Sequence, residues 1–258
     1  MQQGRERMPS LPKNRFKDAI ARMELQHGLW VGLSDPLAVE MMAGCGYDWM
    51  LLDTEHSPTD VRTVLPLLQA VAPYPVSPIV RPTSLNTSEI KKILDIGAQT
   101  ILIPYVQNAE EAVLAVQAVT YPPEGIRGVA GMTRASRFAT VPGYHKTAGQ
   151  EICLLIQAET REALDQIEAM AAVPGIHGIF IGPADLAASL GYPGEPGHPE
   201  VKAIILDAIR RIRAAGLPPG ILTLDHGFAD EAIEAGAVFV ARDFDLVALR
   251  KGLSRQGS

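Results

Sequence analysis

The chain is poor in basic residues, aromatics and sulfur, and each shortage excludes something. Lysine and arginine total 23 against 29 acidic residues, for a formal net charge of −6. No basic stripe is available for a phosphate backbone, which argues against a nucleic-acid partner. Only two cysteines occur, Cys45 and Cys153. Both lie in apolar stretches and read as buried, reduced thiols rather than a disulfide framework. No segment approaches the roughly 18 consecutive apolar residues of a membrane span, and the polar first 17 residues lack the apolar centre of a signal peptide. No membrane partner is expected, and the default address is cytoplasmic. G-x-G-x-x-G and P-loop motifs are missing. No lysine closes an apolar run, so a Schiff base inside a barrel has no candidate. The last apolar run continues into Arg242-Asp243 rather than the glycines that cradle a phosphate at that place in many barrels. Phosphorylated substrates and organic cofactors are therefore disfavoured.

What is present is alternation. Short apolar runs at 28–33, 48–53, 78–81, 100–106, 152–159, 178–182, 219–224 and 237–242 alternate with helical patterns at 36–43, 58–71, 86–96, 109–120, 160–172, 199–215 and 229–235. Asn86 and Thr160 are placed to cap helices, Gly97, Gly216 and Gly236 to stop them, and Pro36, Pro58 and Pro199 to begin them. With 258 residues, 47% hydrophobic and 20% charged, the chain has the usual size for one (β/α)8 TIM barrel. The expected organisation is an α/β single domain: a flexible tail over 1–13, then a lead helix at 14–26 opening a barrel over 14–258. Residues 121–150 interrupt the alternation and read as a lid, site loop or interface element.

In a parallel barrel the C-terminal ends of the strands form one rim, where the chemistry is done. Two runs deliver carboxylates there, Cys153-Leu-Leu-Ile-Gln-Ala-Glu159 and Gly178-Ile-Phe-Ile-Gly-Pro-Ala-Asp185. Two acids with positions left for water and substrate suit a hard divalent cation. The plainer reading is that each caps the following helix, as Asp185 is placed to do. Gln157 lies two residues before Glu159, on the same strand face, within reach of a ligand carbonyl. A third run ends Asp53-Thr-Glu-His56, an imidazole among acids able to fix its tautomer. Arg81 closes Pro78-Ile-Val-Arg81, fit for a developing oxyanion or for an ion pair with Asp53 or Glu55.

Six segments occur in order: Gly28-Leu-Trp-Val-Gly-Leu33, Asp53-Thr-Glu-His56, Ile79-Val-Arg-Pro82, Tyr121-Pro-Pro-Glu-Gly-Ile-Arg-Gly128, Gln157-Ala-Glu159 and Phe180-Ile-Gly-Pro-Ala-Asp-Leu186. Together, over about residues 15–250, they resemble the HpcH/HpaI aldolases, most closely the 4-hydroxy-2-oxoheptanedioate branch. The resemblance implies a class II pyruvate aldolase, a lyase forming and cleaving 4-hydroxy-2-oxo acids. Its cofactor would be a divalent cation (Mg²⁺, Mn²⁺ or Co²⁺), with no organic cofactor. It implies Glu159 and Asp185 as metal ligands, with Gln157, Gly182, Pro183, Ala184, Asp185 and Leu222 around the substrate. Arg81 would stabilise the enolate and His56 would be the base. Asp53 belongs to the same catalytic set, as does Asp95, which would tune the histidine from a neighbouring subunit. Pyruvate and aldehydes are the implied small-molecule partners, and a homohexamer, a trimer of dimers, the implied assembly. Related chemistries within reach of the same site are sugar-acid aldol cleavage, oxaloacetate decarboxylation and acyl-CoA cleavage, though no basic patch for a CoA tail is evident. Thr54 in place of a common glycine, a shortened Val129-Ala-Gly-Met-Thr133 and Arg242-Asp243 depart from the family pattern, the last two where an acceptor aldehyde would be read.

Overall fold

The computed structural model describes residues 10–254. A lead helix α1 (Arg15–Ala21) precedes strands β1 (Gln26–Val31), β2 (Trp49–Asp53), β3 (Ser77–Arg81), β4 (Thr100–Ile103), β5 (Cys153–Ala158), β6 (Gly178–Ile181), β7 (Pro219–Leu222) and β8 (Phe239–Phe244). All eight are parallel to their neighbours and close in chain order into one barrel. Around it run α2 (Pro36–Ala43), α3 (Val61–Val71), α4 (Thr87–Asp95), α5 (Ala109–Val119), α6 (Tyr144–Glu151), α7 (Arg161–Asp165), α8 (Ile167–Ala171), α9 (Pro183–Ser189), α10 (Pro199–Ala214), α11 (His226–Ala235) and α12 (Asp245–Leu253). No helix among the described residues is long and apolar enough to cross a membrane.

Parallel strands covered on both faces need apolar side chains pointing both ways, and β2, β4, β5 and β6 are buried along their whole length. Their outward residues meet the helices in a large shell that includes Met50, Leu52, Ile101, Leu154 and Ile156. Inward residues of these strands and of β1, β3 and β8 fill the barrel with Trp30, Trp49, Leu51, Ile79, Leu102, Leu155, Phe180 and Phe239. Gly28 makes room for this filling, since a Cβ there would stand 2.1 Å from the Trp49 ring. At the end opposite the rim, α1 plugs the barrel by setting Phe16 edge-on to Trp49 and Phe239, with ring centroids 6.1 and 5.7 Å apart.

Several local expectations need correcting. Residues 1–9 of the expected tail lie outside the described residues, but 10–13 are tied down: Pro12 accepts from Gln99 and Lys13 pairs with Glu151. Helix α3 starts at Val61 behind an Asp60–Thr63 capping box, because Asp60 reaches the first-turn amides that Pro58 does not. The pattern at 160–172 folds as α7 and α8, broken at Gln166. The 121–150 segment ends in α6, and α9 and α12 are additional. Cys153 is buried, its thiol pushed up to about 12 by that burial, whereas Cys45 is exposed in the turn after α2.

His177, just before β6, accepts a hydrogen bond from the Leu154 N–H at its Nδ1, 3.1 Å away. Burial, with the Lys17 charge adding to it, lowers its pKa to about 4. A base depressed on folding contributes stability above its unfolded pKa of about 6.5 and loses it as pH falls through the folded value. Acidification from pH 7 to pH 4 should cost on the order of 3 kcal/mol through this one ring. Urea midpoints measured across that range should fall less steeply in His177→Asn than in the unaltered protein.

Candidate active site

Strands β2 and β3 run in a register that makes Asp53 and Arg81 cross-strand partners at the rim. Arg81 donates to both Asp53 oxygens, Nε to Oδ1 and Nη2 to Oδ2, each at 2.8 Å. The pair is almost fully buried, at 6% and 3% side-chain exposure. Burial alone would raise the Asp53 carboxyl. The hydrogen bonds and charge of Arg81, with the Glu55 and Trp30 N–H groups, instead hold it below the usual carboxylate range. The Arg81 guanidinium lies over the Trp30 ring, 4.8 Å from its centroid. Its Nη1 is 2.7 Å from Glu55 Oε2, close but poorly aligned for a hydrogen bond. Asp53 thus takes two of the five guanidinium N–H groups, and the rest sit on the two Nη atoms. Thr54 donates its hydroxyl to the Arg81 carbonyl at 2.6 Å, tying the two strand ends together.

The acids expected around His56 therefore serve Arg81. The imidazole is exposed, and its nearest carboxylate oxygen is Glu55 Oε2 at 3.8 Å. Glu55 is pushed up by burial and by the Asp53 and Asp185 charges, while Arg81 and His56 pull it down; the net shift is upward.

Glu159 follows β5 and is 1% exposed. Its Oε1 accepts the Tyr105 backbone N–H at 2.9 Å and its Oε2 the Gln157 side-chain amide at 2.6 Å. Burial first, then the Asp185 and Glu55 charges, push its pKa to about 8. The β5–β6 register sets Glu159 beside Gly182, where a Cβ would stand 2.1 Å from Oε2. Gln157 is buried, and its Oε1 has no partner among the described residues.

Asp185 is not at a strand end. Gly182 is the N-cap of α9, Pro183 opens it, and Ala184 and Asp185 fall in its exposed first turn. Asp185 caps nothing there. Leu222 ends β7 half-buried against the barrel filling. Asp95 does not join this group within the chain. It closes α4, and helices of a (β/α)8 unit end at the face opposite the rim; there it pairs with Arg127 at 3.1 Å. Arg242 and Asp243 are also elsewhere. A bulge opposite Gly28 and Leu29 leaves Ala241 in the barrel filling. It sends Arg242 to Asp230 of α11 and Asp243 to the Tyr47 hydroxyl. Trp30 and Tyr105 belong to the site as well; Trp30 lies in the Gly28–Leu33 segment, which assigns it no role, and no motif marks Tyr105. Alternation from Gly28 does place Trp30 on the inner face, but nothing in the sequence signals the Tyr105 backbone contact.

Among the described residues no group of three or more His, Cys, Asp or Glu is arranged to hold an ion. Two carboxylates, Glu159 and Asp185, suit instead the open, oxygen-rich coordination of Mg²⁺ or Mn²⁺, which keep water and substrate positions. Glu159 fits that role, being buried beside like charges with donors on both oxygens and no ion-pairing Lys or Arg among the described residues.

A parallel barrel with acids and an arginine gathered at its rim defines an enzyme architecture. Residues 26–251 match the family model described as HpcH/HpaI aldolase/citrate lyase, and the chain belongs to that family. A pyruvate aldolase from Rhizobium etli is 58% identical over 242 residues, covering 94% of this chain and 95% of that protein. A 4-hydroxy-2-oxo-heptane-1,7-dioate aldolase from Salmonella heidelberg is 51% identical over 241 residues, 93% of this chain and 92% of that one. Among solved structures, an HpcH/HpaI aldolase/citrate lyase family protein from Burkholderia cenocepacia superposes with a TM-score of 0.89 at 36% identity, over 93% of this chain and 98% of that one.

Removing Asp53 strands a buried guanidinium, so Asp53→Ala should lose about 3–5 kcal/mol of stability. The more exposed and misaligned Glu55 should cost only about 1 kcal/mol on truncation to alanine. Urea denaturation of the two variants checks the contrast, and equal losses would contradict the ranking.

Proposed function

We propose that the protein is a divalent-metal-dependent aldolase, cleaving and forming 4-hydroxy-2-oxo acids with pyruvate and an aldehyde as the other partners. The observation that carries the reading is Glu159, a buried carboxylate crowded by Asp185 and Glu55, next to an arginine prepared for an oxyanion. The names of the Rhizobium and Salmonella relatives support it.

Glu159 and Asp185 would hold the cation, Mg²⁺, Mn²⁺ or Co²⁺, which supplies a Lewis acid for a keto carbonyl and adjoining carboxylate. The chain's own groups do the rest. In the condensing direction His56, exposed at the rim, takes a proton from the methyl carbon of pyruvate. Arg81, locked by Asp53 and Trp30, presents its remaining N–H groups to the oxygen on which negative charge develops. The enolate carbon then bonds to the aldehyde carbon, and the resulting alkoxide takes up a proton. Cleavage runs the same steps backwards. Asp53 acts here by fixing Arg81 and does not touch the reacting atoms. Apolar walls such as the buried Trp30 and the half-buried Leu222 limit water around the arginine and so strengthen its electrostatic effect.

Assembly of several copies is part of the same reading. Helix α12 buries only Asp245 and leaves Leu246, Leu249 and Leu253 exposed. A contribution from Asp95 would have to come from a second copy, given its place at the far end of its own barrel.

Deuterium exchange into the pyruvate methyl group tests the proposal. Exchange should require Mn²⁺ and stop with EDTA or with Asp185→Ala. His56→Ala should retain Mn²⁺ binding and lose exchange; full exchange in that variant removes His56 from its role. Arg81→Lys should lower kcat/KM by about 10²–10³, the usual effect of losing one oxyanion donor, and a wild-type value would remove the oxyanion assignment.

A further inference from the structure

Tyr105 follows β4 with a φ of 56°, a left-handed conformation that an aromatic residue rarely adopts. Outliers of this kind gather where surrounding structure over-determines them, often at functional sites. Here the surroundings are explicit. The Tyr105 N–H points to Glu159 Oε1 at 2.9 Å. The next amide, Val106, donates to the Gln157 carbonyl at 3.0 Å. The Tyr105 carbonyl accepts from the Gln107 side chain at 3.3 Å, and Gln107 Oε1 in turn accepts from the Thr160 hydroxyl at 2.5 Å. The chain of contacts closes on itself, because Thr160 is the residue after Glu159. The Tyr105 ring, by contrast, is 55% exposed.

We propose that Tyr105 is a positioning residue for Glu159, acting through its left-handed backbone rather than its ring. An extended residue at 105 would rotate this N–H relative to the Val106 amide, so that the two could not meet Glu159 Oε1 and the Gln157 carbonyl together, and the carboxylate would be left to Gln157 alone whenever Val106 kept its bond. With donors on both oxygens the carboxylate plane is fixed, and each oxygen keeps a lone pair for a cation. The inference rests on the reading of Glu159 as a metal ligand.

Three variants separate backbone from ring: Tyr105→Gly, Tyr105→Ala and Tyr105→Val. All lose the ring and keep the N–H, while the penalty for the left-handed conformation rises from glycine to alanine to the β-branched valine. The readout is the Mn²⁺ dissociation constant of the whole protein, from the EPR signal of free Mn²⁺. Gly and Ala should bind within about threefold of the unaltered protein or tighter, and Val at least tenfold more weakly. Equal weakening in all three would assign the effect to the ring and overturn the proposal, as would unchanged affinity in Val. Should Tyr105→Val fail to fold, Gln107→Leu decides, since it frees the Tyr105 carbonyl and leaves residue 105 intact. Weaker Mn²⁺ binding there supports the proposal and unchanged binding refutes it. An unaltered protein that binds no Mn²⁺ would sink the metal reading itself, a result distinct from a flat series in a protein that does bind.

Discussion

The ion pair between Asp53 and Arg81 is the constraint on which the site depends. Taking two charges out of water is costly, and the cost is met only when both partners are present with good geometry. The parallel register of β2 and β3 supplies that geometry, because it makes the last residues of the two strands direct partners. Once Asp53 is committed to Arg81, the rest of the rim is out of electrostatic balance. Asp53, Glu55, Glu159 and Asp185 gather around a single guanidinium, and the upward shifts at Glu159 and Glu55 come first from burial and then from the neighbouring carboxylates. On the proposed reading, a doubly charged cation at Glu159 and Asp185 would relieve this without disturbing the pair. That reading divides the labour: one half of the mouth is neutralised by the fold, and the other would take an ion and its ligand.

Precision on the second half comes from what is missing as much as from what is there. Glu159 occupies space that any side chain at position 182 would fill, and the amide of Gln157 and the backbone of Tyr105 grip its two oxygens. Gln157 is accordingly first a support for Glu159, and its unpartnered Oε1 is the atom left to meet a water or a ligand hydroxyl. His56 is arranged oppositely, exposed and unclamped. In the proposed roles the contrast makes sense: a residue that accepts and returns a proton can tolerate such freedom, whereas a ligand to a hard cation cannot be misplaced without losing affinity.

The strand ends were legible because their signal is local. Each is a short apolar run, four of them closed by a charged residue (Asp53, Arg81, Glu159 and Arg242), and eight such runs with helical partners are enough to indicate the barrel. The ends carrying Asp53, Arg81 and Glu159 are where alternation places them. Asp185 was recognisable as an acid of the rim, with a helix cap as the plainer reading, but not as a residue inside that helix: the strand ends at Ile181, and Pro183 already opens α9. The partnerships were harder to read. Asp53 and Glu55 stand next to His56 in sequence, yet a cross-strand neighbour 28 positions away claims Asp53. Trp30 was visible as an inward residue and not as the bed for a guanidinium. The left-handed turn at Tyr105 carries none of the glycine or asparagine that usually announces one. Cys45, read as buried from its apolar neighbours, lies in a turn where the chain leaves α2.

The bulge in β8 bears on selectivity. Arg242 and Asp243 sit where a departure from the family pattern suggested a hand in reading the aldehyde, but the extra residue in the strand turns both toward outer partners. Arg242 is held by Asp230 of α11, and Asp243 by the hydroxyl of Tyr47. Ala241 and Phe244 remain on the inner side. On the proposed reaction, then, these two side chains cannot reach an acceptor directly. Discrimination falls to groups that line the mouth, Trp30 and Leu222 among them, which are apolar and select by shape. A hydrophobic wall separates aldehydes differing by a methylene only weakly, by roughly 10–200-fold. A site of this composition would therefore favour breadth in the aldehyde and strictness in the oxo acid, whose keto oxygen would be met by Arg81 and whose carboxylate by the cation position.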